Sequence, residues 1–146
     1  MIASSSMPSA FAPPDRHGAD GPGGLRVLLV EDLPRVRSLL RELIEEPGRL
    51  EVTAFAESEE EALQRFDELR PDAVVVDLKL RSGTGLGVVH GIRRRAPAAP
   101  PLVIVLTNHA LPVLEAACLQ AGADHFLDKS RDFLKVRPLL EAARLG

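Results

Sequence analysis

Five short apolar runs recur along the chain, each followed by a stretch with a different period, and this recurrence restricts the fold more than any other property of the sequence. LRVLLV (25–30), LEVTAFA (50–56), PDAVVVD (71–77), PLVIVLT (101–107) and the shorter DHFLDK (124–129) read as strands. The first is apolar and β-branched enough to be buried on both faces, as central parallel strands are. Between the runs the period changes to that of helices. RVRSLLRELIEE puts Val36, Leu39, Leu40, Leu43 and Ile44 on one face, with Pro34 where a first helical turn tolerates it. SEEEALQRF starts with Ser58 and Glu61 at capping-box spacing. GVVHGIRRR is weakened as a helix by Gly87 and Gly91, PVLEAACLQAGA closes at Gly122, and a last helix runs to Leu145. Pro138 falls inside that last helix, where it either kinks it or forces a later start.

Strands alternating with helices through short loops require right-handed crossovers, a parallel sheet and helices on both faces. The expected architecture is a three-layer α/β sandwich around a five-stranded parallel sheet. In such sheets ligands lie outside the carboxyl ends of the strands, where strand order reverses. Chemistry is therefore sought among the residues that end strands.

Composition narrows the function classes. At 146 residues the chain accommodates one domain. Its 45% hydrophobic and 27% charged residues are those of a soluble globular protein, and no apolar stretch approaches the roughly 18 residues of a membrane span. A net charge of −3 gives no footprint for wrapping nucleic acid, so no direct DNA binding is expected, and Arg93, Arg94 and Arg95 read as the solvated end of a helix. Cys118 is alone, which excludes an internal disulfide and a metal-thiolate site and fits a reducing cytoplasm. On a stripe with Val113, Leu114 and Ala117, it is expected to pack. His90 and His125 read as surface or satisfied polar groups, and His17 falls in the N-terminal tail. Residues 1–24 are rich in Pro, Gly, Ser and Ala without apolar periodicity, and are expected to form a disordered tail ahead of a domain spanning 25–146. Met7 offers an alternative start.

The strand ends carry Glu31 and Asp32, then Asp77, then Thr107, then Lys129. Singly each is ordinary: a turn-forming Asp, a strand-end Thr, a solvated Lys. Together they make a site. Three carboxylates converging at one sheet edge repel one another, and desolvation adds to the cost. A divalent cation relieves that charge, and hard oxygen ligands with room for water suit Mg²⁺. With Lys129 and a hydroxyl opposite, this is the equipment for phosphoryl transfer onto a carboxylate, with Asp77 as nucleophile.

From about Leu25 onward the sequence resembles the receiver domain of bacterial two-component response regulators, of the chemotaxis-regulator type. VEDLP, VVVDLKLRSGTG, VIVLT and GADHFLDKS carry the resemblance, in that order, with 30 residues from Asp77 to Thr107 and 22 from Thr107 to Lys129. The resemblance implies a flavodoxin-like fold, Asp77 as phospho-acceptor, and Glu31 and Asp32 as the acidic pair serving Mg²⁺. It further implies a metal contact from the backbone carbonyl of Lys79, Thr107 as switch hydroxyl, Lys129 as its ion-pair partner, and Phe126 as the aromatic that turns with Thr107. The implied donor is a sensor histidine kinase or a histidine phosphotransfer protein. The implied output is a protein target bound through the face of the fourth helix, fifth strand and fifth helix, with no enzymatic activity beyond turnover at Asp77. With its last helix at the terminus, the chain is expected to act as a stand-alone receiver.

Two residues depart from the family pattern: Asn108 follows Thr107 where a small residue is usual, and Ser130 follows Lys129 where a proline is usual. Two alternatives stay open, a Mg²⁺-dependent phosphohydrolase and a receiver that binds partners without phosphorylation. The former is disfavoured because Lys79 stands where a second acid is wanted. Dinucleotide binding fails because VEDLP occupies the turn that a glycine-rich fingerprint needs.

Overall fold

Strands β1 (Leu25–Val30), β2 (Leu50–Ala56), β3 (Ala73–Val76), β4 (Leu102–Thr107) and β5 (His125–Asp128) pair in parallel in the order β2-β1-β3-β4-β5. This computed structural model describes residues 24–145, so the expected tail, apart from Gly24, lies outside the described residues. Gly24 is itself buried, with φ +68°, and a Cβ there would lie 2.4 Å from the carbonyl oxygen of Arg49. Five helices connect and follow the strands: α1 (Pro34–Ile44), α2 (Glu59–Leu69), α3 (Gly85–Arg95), α4 (Pro112–Ala121) and α5 (Val136–Leu145). The three-layer sandwich is as the alternation of periods requires.

The two-residue period of the strands divides the core between two faces. Leu28, Val30, Val74, Val76, Val103 and Val105 pack with Phe66, Val88, Ile92 and Cys118 from α2, α3 and α4. Val27, Leu29, Val75, Ile104 and Leu106 pack on the other side with Leu40, Ile44, Val136 and Leu140 from α1 and α5. Burying each Leu, Ile, Val or Phe contributes about 1.5–3 kcal/mol, which is why, past the half-buried Arg26 near the start of β1, the central strands carry no polar residue until they end.

The helix termini follow local chemistry. Ser58 Oγ accepts the Glu61 N–H at 3.2 Å, while the Glu61 carboxylate accepts the N–H of Glu57 at 2.8 Å, one residue before the cap. Thr84 caps α3 by accepting the Gly87 N–H at 3.0 Å. Pro138 is the third residue of α5, within the first turn, where a helix has no partner for the N–H that proline lacks. The helix therefore starts at Val136 without a kink, preceded by a 3₁₀ turn over Phe133–Lys135.

Four side chains depart from expectation. Leu39 is 51% exposed, because the buried stripe of α1 centres on Leu40 and Ile44 and position 39 falls at its rim. Val113 is 71% exposed at the start of α4, while Cys118 on the opposite face is buried. The arginine run is not simply solvated. Arg93 donates to the Gly122 carbonyl at 2.9 and 2.7 Å and to the Pro101 carbonyl at 2.9 Å, so it caps the end of α4. Arg95 pairs with Asp67 of α2 at 3.1 Å.

The glycines that weaken α3 as an isolated helix let it approach its neighbours. A Cβ at Gly85 would lie 2.2 Å from the Asp77 carbonyl oxygen and 2.8 Å from Leu78 Cα, both backbone atoms. One at Gly91 would meet only the methyl groups of Leu63, the nearer at 2.6 Å. A leucine can change rotamer and a backbone carbonyl cannot. Gly85→Ala is expected to destabilise the protein by about 1–3 kcal/mol and Gly91→Ala by less, the latter offset in part by alanine's better helix propensity. Urea unfolding of both variants checks the ordering, and equal stability of the two would remove the steric argument.

Candidate functional site

The strand order reverses between β1 and β3, since β1 connects to β2 on one side and β3 lies on the other. Register then sets which strand ends meet. Val30 pairs with Val76, so the next residues, Glu31 and Asp77, emerge side by side. Val76 pairs with Val105 and Thr107 pairs with Asp128, which brings Thr107 and Lys129 to the same edge. Backbone bonds fix these ends: the Asp77 N–H donates to the Val30 carbonyl at 3.0 Å, and the Lys129 N–H to the Thr107 carbonyl at 2.8 Å.

All five strand-end residues converge there. Glu31, Asp32 and Asp77 each present a carboxylate oxygen such that all three lie within 4.8 Å of one another. Lys129 Nζ donates to Glu31 Oε1 at 2.8 Å and to Asp77 Oδ2 at 3.0 Å, and its side chain is 8% exposed. The other Glu31 oxygen accepts the Leu33 N–H at 3.2 Å. Burial pushes the Glu31 carboxyl above the usual carboxylate range, and the pull of Lys129 only partly offsets it. Burial also works to lower the Lys129 ammonium, but two anionic partners outweigh it and the net shift is upward. One ammonium compensates at most one of three carboxylates. The donors are all hard oxygens, and Asp32 is only half-buried, so the cluster suits a small divalent cation that keeps some of its water.

The remaining expected residues lie around this centre. Thr107 is fully buried, and its hydroxyl accepts the His109 N–H at 3.1 Å. Asn108 and His109 are exposed. The Lys79 side chain is exposed, while its N–H reaches Asp77 Oδ1 at 3.4 Å. Phe126 is half-buried, paired with Val105 and packed against the core on the α2, α3 and α4 side. His90 is exposed, and no described helix is long and apolar enough to cross a membrane.

The turn after Lys129 is a part of the site that strand-end reasoning passed over. Asp128 Oδ1 accepts from the Ser130 N–H at 2.9 Å, from Ser130 Oγ at 2.7 Å and from the Arg131 N–H at 3.2 Å. Asp132 Oδ2 accepts the Asp128 N–H at 3.0 Å. The signal was present as Asp-x-Ser, a spacing at which aspartate closes a turn on its own chain.

An open parallel sheet with three carboxylates, an ammonium and a buried hydroxyl at its reversal point gathers there the residue types that suit a cation and an anionic group. The family is now clear: residues 27–141 match the response regulator receiver domain, and the chain belongs to that family. It is 36% identical over 105 residues to protein-glutamate methylesterase/protein-glutamine glutaminase 5 of Myxococcus xanthus, covering 72% of this chain and 30% of that protein. It is 32% identical over 106 residues to the chemotaxis protein CheY of Thermotoga maritima, covering 73% of this chain and 86% of CheY. Among solved structures it resembles a LuxR-family two-component response regulator from Aurantimonas sp. SI85-9A1, with a TM-score of 0.76 and 33% identity over 84% of this chain and 86% of that one. The chain spans about a third of the length of the methylesterases it matches. It is thus a CheY-like receiver, consistent with phosphorelay signalling.

Removing Lys129 leaves Glu31 and Asp77 buried and facing each other. Lys129→Met is expected to destabilise the metal-free protein at pH 7 by about 3–5 kcal/mol, the usual cost of stranding a buried charge. Glu31 titrates above its unfolded value, so its protonation favours the folded state: that contribution is full below the unfolded pKa and is lost as pH rises through the folded one. The deficit of the variant should therefore be greatest at neutral pH and shrink on acidification, as urea unfolding at the two pH values would show. A deficit independent of pH would mean that Glu31 and Asp77 do not need the ammonium.

Proposed function

We propose that this chain is a phosphorylation-dependent signalling module that accepts a phosphoryl group on Asp77 from a sensor histidine kinase or histidine phosphotransfer protein. The observation that carries the reading is the Lys129 ammonium held between Asp77 and Glu31, beside a third carboxylate, at the reversal point of the sheet. An Asp77 carboxylate oxygen attacks the phosphorus of the phosphohistidine. The P–N bond breaks, its electron pair returns to the imidazole, and an aspartyl phosphate remains. Hydrolysis reverses the state: water attacks phosphorus, the P–O bond to Asp77 breaks, and the carboxylate is restored as phosphate leaves with the proton. Turnover at Asp77 is the chain's only proposed chemistry.

Mg²⁺ would be held by the carboxylates of Glu31, Asp32 and Asp77 and the Lys79 carbonyl, and supplies positive charge against the equatorial phosphoryl oxygens. Lys129 gives up an Asp77 oxygen to the phosphoryl group and neutralises it from the other side. The Thr107 hydroxyl, which accepts the His109 N–H, keeps its own proton to donate to a phosphoryl oxygen, and its turning toward that oxygen would pull on the segment Asn108–Leu111 ahead of α4. Phe126, half-buried beside β4, is placed to repack with it. The downstream protein target is proposed to bind the face of α4, β5 and α5. Support comes from α4 itself, which leaves Val113 and Leu119 exposed, with Leu111 exposed just before it. The receiver domain is proposed to extend over residues 25–146, with residues 1–24 a dispensable tail. The exchange is proposed to take place in the cytoplasm, a reading supported by the lone Cys118.

Treated with a small phosphodonor and Mg²⁺, the wild type is expected to gain one phosphoryl group by intact-mass spectrometry and Asp77→Asn none. An adduct persisting on Asp77→Asn would eliminate Asp77 as sole acceptor, and no adduct on wild type would favour a receiver that binds partners unphosphorylated. Asp32→Ala should weaken Mg²⁺ binding, and equal affinity in the two proteins would refute the metal assignment.

The output surface has its own test. With beryllofluoride as phosphoryl mimic, amide hydrogen exchange should change at residues 107–112 and 124–130. Changes confined to the loops after β1 and β3 would mean that the signal does not leave by α4, β5 and α5.

A further inference from the structure

Lysine has four side-chain torsions and gives up much rotamer freedom when fixed, so an ammonium held on two carboxylates needs a backbone that does not wander. Ahead of Lys129 that backbone is secured by β5 and by the bond from its N–H to the Thr107 carbonyl at 2.8 Å. Beyond Lys129 the chain leaves the sheet, with no strand partner to hold it. There the aspartates on either side of the turn bind each other's ends: Asp132 Oδ2 accepts the Asp128 N–H at 3.0 Å, and the Asp132 N–H donates to the Asp128 carbonyl at 2.7 Å. Inside this clasp Asp128 Oδ1 gathers both donors of Ser130, at 2.9 and 2.7 Å. Asp132 is itself buried, and Lys135 reaches it at 3.1 Å.

We propose that Asp128 and Ser130 are positioning residues for Lys129, closing the turn behind it so that its ammonium stays between Glu31 and Asp77. The carboxylate oxygen of Asp128 replaces a strand partner for the residue that follows the lysine. Ser130 is suited to this role because it offers an N–H and a hydroxyl in the same direction. Neither residue touches the reacting atoms; both act through the place of the Lys129 Cα. The inference rests on the phosphoryl-accepting role proposed for Asp77 and Lys129, but its structural core is independent of that role.

The experiment compares wild type with Asp128→Ala, Asp128→Asn and Ser130→Ala, read in two ways. In the metal-free protein, the ¹⁵N-labelled Lys129 ammonium should give a slowly exchanging NMR signal in wild type. The signal should be lost to water exchange in Asp128→Ala, weakened in Ser130→Ala, and restored in Asp128→Asn, which keeps the accepting oxygen. With a small phosphodonor and Mg²⁺, Asp128→Ala should lower the saturated phosphorylation rate roughly ten- to a hundredfold with little change in the half-saturating donor concentration, and Asp128→Asn should recover most of it. If Asp128→Ala does not fold, Ser130→Ala and Asp128→Asn carry the comparison. A Lys129 signal unchanged in Ser130→Ala, and in Asp128→Ala where that variant folds, overturns the inference, and so does a rate loss that Asp128→Asn fails to rescue. A wild type that takes up no phosphoryl group refutes the proposed function instead, and the Lys129 signal still decides the positioning.

Discussion

A single buried ammonium, that of Lys129, lies between carboxylates that would otherwise face each other, and the organisation of the sheet can be understood from the need to keep it there. Its bonds to Glu31 and Asp77 span 98 and 52 residues of sequence. They form only if β1, β3 and β5 are parallel and end level with one another. A buried ion pair of this kind is a poor source of stability, since desolvation of the charges consumes most of what their attraction returns. The stability that tolerates it comes from the two apolar layers on either side of the sheet. The site is therefore a local excess of negative charge held in place by a core that contains almost none.

That arrangement separates what is rigid from what can move. The carboxylates sit on the ends of the central strands, and α3 approaches so closely that Gly85 has no room for a Cβ beside the Asp77 carbonyl. Thr107 lies at the opposite extreme: its strand is fixed, but its hydroxyl is held by one backbone N–H of a loop whose next two residues are exposed. Under the proposed function, a charge change at Asp77 would be felt through the Thr107 hydroxyl, which has a proton to donate toward it. Coupling of this kind is typically worth about 1–3 kcal/mol, comparable to one hydrogen bond exchanged for another.

The strands and the site were legible in the sequence for the same reason. A parallel central strand is apolar until it ends, so a carboxylate after AVVV or a threonine after VIVL marks both the end of a strand and the edge where ligands bind. Helical faces were legible only in outline. Periodicity locates the centre of a stripe but not its width, which is why Leu39 and Val113 are exposed although Leu40 and Cys118, expected on the same stripes, are buried. Arg93 was less accessible still: its partners, the carbonyls of Gly122 and Pro101, are backbone groups whose position depends on the packed fold. Nothing in the local pattern distinguishes such an arginine from Arg94, which is exposed.

The two departures from the family pattern follow the neighbouring strands β4 and β5 and act on different things. Asn108 is exposed, so its extra bulk displaces no core side chain, and it stands beside the buried Thr107. Ser130 works the other way. A proline has no N–H, so with proline at this position Asp128 would lose two of the donors it now gathers, the backbone N–H and the hydroxyl. Where a ring would stiffen the turn covalently, this chain does so with hydrogen bonds to one carboxylate. Those bonds are individually weak, about 1 kcal/mol each, but they are several and share one acceptor, so the turn behind Lys129 closes as a unit. The placement of the ammonium among the carboxylates then depends on Asp128, an acid that does not belong to the cluster it serves.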